Sequence, residues 1–189
     1  MASPFSEAYK IILTELGESL AKIDEAEVEH LVDRIVERGN IFVVGAGRMG
    51  LMPHSFAMRL GHLGFGSHMV GSPTCPPIGS QDILIVASSS GETATVREVV
   101  GRANRENAEI IAITARPDST VAELASSVVF VEAPSTLEAS GEGGVVSQQP
   151  MKTLFEQSLF ILLESVVLCI MHRTGQGAGD MAKRHANLE

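Results

Sequence analysis

The stretch of this chain richest in groups that can do chemistry is Ser88-Ser89-Ser90-Gly91-Glu92-Thr93, directly after the apolar run Ile83 to Ala87. Three hydroxyls and a glycine between a strand and a helix start form a cradle for an anion. Backbone N–H groups in a helix's first turn are unpaired, the macrodipole puts partial positive charge there, and small side chains let a phosphate approach. Ser88, Ser90 and Thr93 can add hydroxyl donors, with Ser89 between them. The other reading is a Ser/Thr N-cap with no ligand. One cap uses one hydroxyl, and this loop has three before its glycine, which favours the phosphate cradle.

A second loop, Gly45-Ala46-Gly47-Arg48-Met49-Gly50, matches G-x-G-x-x-G between a strand and a helix, the dinucleotide fingerprint. That fingerprint asks for an acid about 20 residues on, to hold a ribose hydroxyl. Phe65 to Ser72 contains no acid and no arginine for a 2′-phosphate, and Arg48 is bulky beside a pyrophosphate. A nicotinamide cofactor is therefore rejected. The loop is a turn that brings the Gly47 backbone and Arg48 to the sheet edge. There Arg48 can supply charge to a bound anion, or it is a surface arginine on a tight turn.

Two residues are able to transfer protons. Glu156 lies early in a long apolar helix, and a carboxylate whose pKa sits near neutrality can act as a general base. A solvated glutamate favoured by the macrodipole is the plain alternative. The imidazole of His185 can shuttle a proton between substrate oxygens, although a histidine so near the chain's end is more commonly frayed surface. Arg59 and His62 share one side of a helix, well away from its start, and would reach only a neighbouring subunit's site. His30, His54, His68 and His172 carry no motif.

These groups need a scaffold, and the hydrophobic pattern supplies one. Helices are expected from Ser3 to Arg38, with Tyr9, Ile12, Leu13, Leu16 and Leu20 in one stripe and a second helix capped by Asp24. Strands are expected at Ile41–Val44, Ser67–Val70, Asp82–Ala87, Ile110–Thr114 and Ser127–Val131, alternating with helices. Ser72 to Ser80, with three prolines, reads as a loop. Glu132 to Gln149 is a long irregular loop of functional character, followed by a helix from Met151 to His172. The alternation specifies an α/β fold, a doubly wound five-stranded parallel sheet flanked by helices. Ligands bind such sheets at the carboxyl edge of the strands, where both loops emerge. The chain reads as one domain over 1–189: N-terminal helices 1–38, sheet core 40–131, long helix 150–172 and tail 177–189.

Composition excludes several classes. With 23 Asp and Glu against 14 Lys and Arg, the net charge of −9 argues against a nucleic-acid partner. Cys75 and Cys169 have neither metal nor disulfide spacing, which suggests a reducing, cytoplasmic setting. No signal peptide or membrane span is expected.

Taken together, the two loops, Thr153-Leu154-Phe155-Glu156 and the ending Arg184-His185-Ala186-Asn187-Leu188-Glu189 make the chain resemble the sugar isomerase (SIS) domain family. Within it the chain is most similar to the 6-phospho-3-hexuloisomerases. The resemblance covers nearly the whole chain, including Phe56-Ala57-Met58-Arg59-Leu60 and Gln149-Pro150-Met151. The Ser90-Gly91-Glu92-Thr93 turn alone marks phosphosugar-binding SIS domains, and its combination with the tail points to the hexuloisomerases. The resemblance implies a flavodoxin-like three-layer sandwich and interconversion of 3-hexulose 6-phosphate and fructose 6-phosphate, in the ribulose monophosphate route of formaldehyde fixation. It implies no metal or nucleotide cofactor, and a homotetramer with sites built between subunits. Its implied residues are Glu156 as base, a pinned tail presenting His185, and Gly47, Arg48, Ser88, Ser89, Ser90 and Thr93 on the substrate. Two positions depart from the family pattern: Met49 stands where Ser is usual, and Ser89 where the phosphate loop usually has Gly. An isomerase of another phosphosugar and a non-catalytic phosphosugar sensor are the alternatives. The residues before the first strand are too few and too acidic for a helix-turn-helix.

Overall fold

The computed structural model describes residues 3–134 and 146–188. Five parallel strands form the sheet: β1 (Asn40–Gly45), β2 (Gly66–Met69), β3 (Ile83–Ala87), β4 (Glu109–Thr114) and β5 (Ser127–Phe130). Their spatial order is β2-β1-β3-β4-β5. The chain turns back between β1 and β3, so the switch point that attracts ligands lies between the two loops singled out above. The registers Gly45↔Ala87 and Ala87↔Ile113 bring three strand ends level at that edge.

Side chains alternate across the sheet, and each face has its own core. Ile41, Val43, Ile83, Ile85, Ile111 and Ile113 join the core on one side, and Phe42, Val44, Leu84, Val86, Ile110 and Ala112 face the other. The first side is covered by α2 (Glu25–Glu37), α3 (Leu51–His62) and α6 (Thr153–Thr174), with α1 (Pro4–Leu20) packed outside on α6. The second side carries α4 (Ala94–Arg105) and the short α5 (Thr120–Leu124). Over β1 on that side no helix is present among the described residues. Residues 70–82 cross from β2 to β3 as irregular chain, and Cys75 and Ile78 pack against the core there. Parallel strands need a long crossover, and prolines at 73, 76 and 77 keep this one from being the usual helix.

The expected strands and helices are found with shifts of one or two residues at their ends, and two differences have physical causes. After β1 the chain makes a 3-10 turn, Gly47–Gly50, before α3 begins. A Cβ on Gly50 would lie 2.8 Å from the Gly45 carbonyl oxygen, so these two glycines serve a backbone-on-backbone contact rather than a cofactor. The stripe on α1 is split. Leu16 and Leu20 pack on the core, whereas Tyr9 and Leu13 are exposed beside Phe5.

The expectation that no apolar run approaches a membrane span needs correction. Thr153–Thr174 is long and apolar enough by composition to cross one. In this fold it is the central core helix, burying Leu154, Phe155, Leu159, Leu162, Leu163, Val166, Val167 and Ile170. A short α7 (Ala178–Ala182) follows. Of the long loop expected from Glu132 to Gln149, residues 135–145 lie outside the described residues.

Candidate active site

The serine loop leaves β3 buried on both sides and is locked to the next strand. The Ser88 N–H donates to the Ile113 carbonyl, the Ala115 N–H to the Ser89 carbonyl, and the Val121 N–H to the Gly91 carbonyl. Gly91 has φ +62°, and a Cβ there would sit 1.9 Å from Ser119 Oγ, so only glycine fits. The Glu92 carboxylate accepts from the Thr120 N–H at 2.7 Å and the Thr120 hydroxyl at 3.0 Å. Those bonds hold its carboxyl below the usual value. Glu92 is therefore a brace between the loop and α5.

The hydroxyls divide their work. Ser88 Oγ accepts from the Gly91 N–H at 3.1 Å, Ser89 Oγ donates to the Pro134 carbonyl, and Ser90 Oγ accepts from the Glu92 N–H at 3.3 Å. Thr93 occupies the N-cap position of α4, yet its side chain makes no capping bond. The serines shape the turn, and the helix N-terminus behind it is left uncapped, as an anion cradle requires.

Opposite this loop stands the start of α6. Glu156 lies one turn into the helix, its N–H donating to the Lys152 carbonyl, with its side chain only 12% exposed. Arg48 reaches over from the 3-10 turn, its Nη1 3.1 Å from Glu156 Oε2. This ion pair lies outside hydrogen-bond alignment, and the buried Oε2 accepts no hydrogen bond among the described residues. A carboxylate charge-balanced by arginine but with a free lone pair can take a proton.

Between the walls is a cavity of about 240 Å³, lined by Arg48, Met49, Ser88, Ser89, Ser90, Thr93, Met151, Lys152 and Glu156 with Ala46 and Ala87. It is smaller than the ~300–1,000 Å³ pockets of drug-sized ligands, and suits a small metabolite. The structure thus brings Arg48, Ser88, Ser89, Ser90, Thr93 and Glu156 together. Gly47 does not line the cavity; with φ +59° it makes the turn that aims Arg48. Met151 and Lys152 were missed in the sequence, although Lys152 is four residues before Glu156 and so on its side of a helix. Among the described residues no group of three His, Cys, Asp or Glu side chains is placed to hold a metal.

His185 is not in this cavity. Its ring stacks on His62 with centroids 5.2 Å apart, at the far end of α3. Twelve residues of helix put that end roughly 18 Å from the 3-10 turn. The tail is pinned there by Arg184, which donates to the His62 carbonyl and to Gln176 Oε1. Within one chain, then, Glu156 and His185 are not brought together. Arg59, on the same helix, pairs with Glu164 of α6.

Comparison with known proteins places this geometry. The SIS domain family model matches residues 34–163. A 3-hexulose-6-phosphate isomerase of Bacillus subtilis is 38% identical over 178 residues, 94% of this chain and 95% of the relative. One from Mycobacterium gastri is 39% identical, covering 95% of this chain and 88% of its own. A crystal structure from Methanococcus jannaschii, interpreted as a 3-hexulose-6-phosphate isomerase, superposes with a TM-score of 0.82 at 34% identity, over 97% of this chain and 99% of that one. The chain belongs to the SIS domain family and, within it, to the family of the 3-hexulose-6-phosphate isomerases.

Proposed function

We propose that this chain interconverts 3-hexulose 6-phosphate and fructose 6-phosphate, the reaction of the 6-phospho-3-hexuloisomerases. The observation that carries the reading is the single cavity in which an uncapped helix start with hydroxyls faces a buried, arginine-paired carboxylate. The phosphate takes the α4 N-terminus, with Ser88, Ser89, Ser90 and Thr93 around it. Glu156 removes the C2 proton of the 3-ketose, and the C2–H electron pair forms the C2=C3 bond of an enediolate. Arg48 stabilises the negative charge on O3. The proton returns to C3 as the electron pair of the O2–H bond closes the C2 carbonyl, and O3 gains the hydroxyl proton. Atoms and charge balance without a redox partner.

The transfer between O2 and O3 suits an imidazole. His185 lies outside its own chain's cavity, so a second copy would have to deliver it. The exposed Leu51 and Met58 of α3 and Phe160, Ile161 and Leu168 of α6 form apolar surface suited to such a homo-oligomer, a tetramer in the family reading. Free Cys75 and Cys169 suit a cytoplasmic location.

The test is a coupled assay of fructose 6-phosphate formation from enzymatically generated 3-hexulose 6-phosphate. Glu156→Gln should lower kcat by about 10²–10⁴-fold while fructose 6-phosphate still binds. A wild type that binds fructose 6-phosphate without turnover would overturn the hexuloisomerase reading. A second reading, another phosphosugar as substrate, is favoured by Met49. It is 92% buried against the cavity where the family usually presents a hydroxyl. Met49→Ser raising kcat/KM for 3-hexulose 6-phosphate would support it.

A further inference from the structure

The cavity holds two cations and one carboxylate, and their pairing is unequal. Arg48 is 3.1 Å from Glu156. Lys152, at the N-cap position of α6, lines the same cavity, is half-buried, and its ammonium has no hydrogen bond or ion pair among the described residues. We propose that Lys152 is the cation that receives the substrate's phosphate, and that Arg48 is reserved for Glu156 and the enediolate. This assignment rests on the phosphosugar reading given above.

Three observations lead to it. The first is charge economy. In a chain of net charge −9, basic groups find carboxylates readily. Among the described residues the other Lys and Arg side chains are in ion pairs, as Arg34 and Arg38 are with Glu109, or on carbonyl oxygens, as Arg184 is. Lys10 and Arg105 are instead exposed. A half-buried ammonium left without a carboxylate, one helical turn from Glu156, is a cation kept for something that arrives. The second is position. Lys152 lines the same cavity as Ser88, Ser90 and Thr93, on the opposite wall, and their backbone surroundings offer N–H groups but no formal charge. A phosphate dianion at an uncapped helix start is met there by only about half a positive charge, and an ammonium supplies the rest. The third is the fit of each cation to its task. A lysine is a compact point charge with three donors, suited to phosphate oxygens, whereas the planar guanidinium of Arg48 fits a carboxylate or the two oxygens of an enediolate.

Titration calorimetry with inorganic phosphate and with fructose 6-phosphate separates these roles, using wild type, Lys152→Gln, Lys152→Arg and Arg48→Gln. Lys152→Gln should weaken inorganic phosphate binding roughly tenfold or more, the scale of a lost charged hydrogen bond. Lys152→Arg should restore most of it, and Arg48→Gln should leave it within about threefold while lowering kcat. In steady state the Lys152→Gln defect should fall on KM more than on kcat. If wild type binds phosphate and Lys152→Gln binds it equally well, the assignment of Lys152 is overturned and the phosphosugar site stands. If wild type binds neither inorganic phosphate nor fructose 6-phosphate, the site reading falls and this assignment with it.

Discussion

The two walls of the cavity differ in what holds them. The Ser88–Thr93 wall hangs on backbone: its carbonyls and N–H groups are bonded to Ile113, Ala115 and Val121, and Gly91 is wedged against Ser119. The entry to the other wall, Ser147 to Gln149, hangs largely on one side chain from α1. The Glu15 carboxylate accepts from Ser147 Oγ at 2.7 Å, from the Gln148 N–H at 2.8 Å and from Gln149 Nε2 at 2.9 Å. Just beyond, Met151 adopts φ +59°, unusual for a residue with a Cβ, and Lys152 starts the helix. The serine wall is fixed by the sheet. The segment leading into the base's helix is propped by a distant carboxylate, while α6 itself is anchored by Leu154 and Phe155 in the core. A pre-set phosphate site with a base tuned from outside follows from that division.

The sharpest way to break the first wall is Gly91→Ala. The new Cβ would lie 1.9 Å from Ser119 Oγ and 2.4 Å from Ser119 Cβ, and the residue would keep a φ suited to glycine. Strain and overpacking together should cost about 3 kcal/mol, read as a lower midpoint in urea unfolding. Ser119→Ala should not rescue it, because the closer obstacle after removal of the hydroxyl is the Cβ itself. A loss under about 1 kcal/mol would mean that this wall is softer than its bonds imply.

How much of this was legible in the sequence follows the same division. Strand runs such as Ile83–Ala87 and the loops after them were readable, because alternation, hydroxyls and glycines are local signals. The order β2-β1-β3-β4-β5 placed both loops at one edge, as ligand-binding sheets of this class require. The Glu15 prop was not readable, since it joins residues more than 130 positions apart and a glutamate on an amphipathic helix looks like solvated surface. Lys152 was missed although the helix expected from Met151 puts it one turn before Glu156 on the same side; a lysine at a helix start reads as solvated surface. The resemblance singled out His185, which the structure stacks on His62, outside its own chain's cavity.

Breaking the second wall should cost less stability and more activity per kcal/mol. Glu15→Gln turns one acceptor oxygen into a donor facing the exposed N–H of Gln148 or the amide of the buried Gln149; at Gln149 the donor left unpaired costs about 1–3 kcal/mol. The coupled assay should show kcat/KM falling several-fold more than in Glu29→Gln, a change on α2 far from the cavity. Equal activity in the two variants would sever Glu15 from the site.

Acid sharpens the comparison further. Burial pushes the Glu15 carboxyl up, but its bonds from Ser147, Gln148 and Gln149 outweigh that, and it sits below its ordinary value of 4.5. A depressed folded-state pKa stabilises above the unfolded value, and that stabilisation is lost as pH falls through the folded one. Wild type should therefore exceed Glu15→Gln in stability at pH 6 to 7, and the two should converge below the ordinary value. Glu109, held down by Arg34 and Arg38 against its own burial, loses stabilisation in both proteins alike and cancels in the difference. Parallel curves across the acid range would show that the prop is not ionic.

The smallest expected effect is the most discriminating for the phosphate wall. An N-cap threonine that bonds its helix is worth about 1 kcal/mol, and losing it lowers stability with no reference to any ligand. Thr93 makes no such bond, so Thr93→Val, which keeps the branched shape, should leave the unfolding midpoint nearly unchanged while weakening inorganic phosphate binding several-fold. Ser90→Ala should behave in the opposite sense, because Ser90 Oγ is engaged by the Glu92 N–H and its removal acts on the turn before it acts on a ligand. If Thr93→Val costs a full cap's worth of stability and leaves phosphate binding intact, the hydroxyls of this wall serve the fold, and the anion is held by backbone N–H groups and a cation alone.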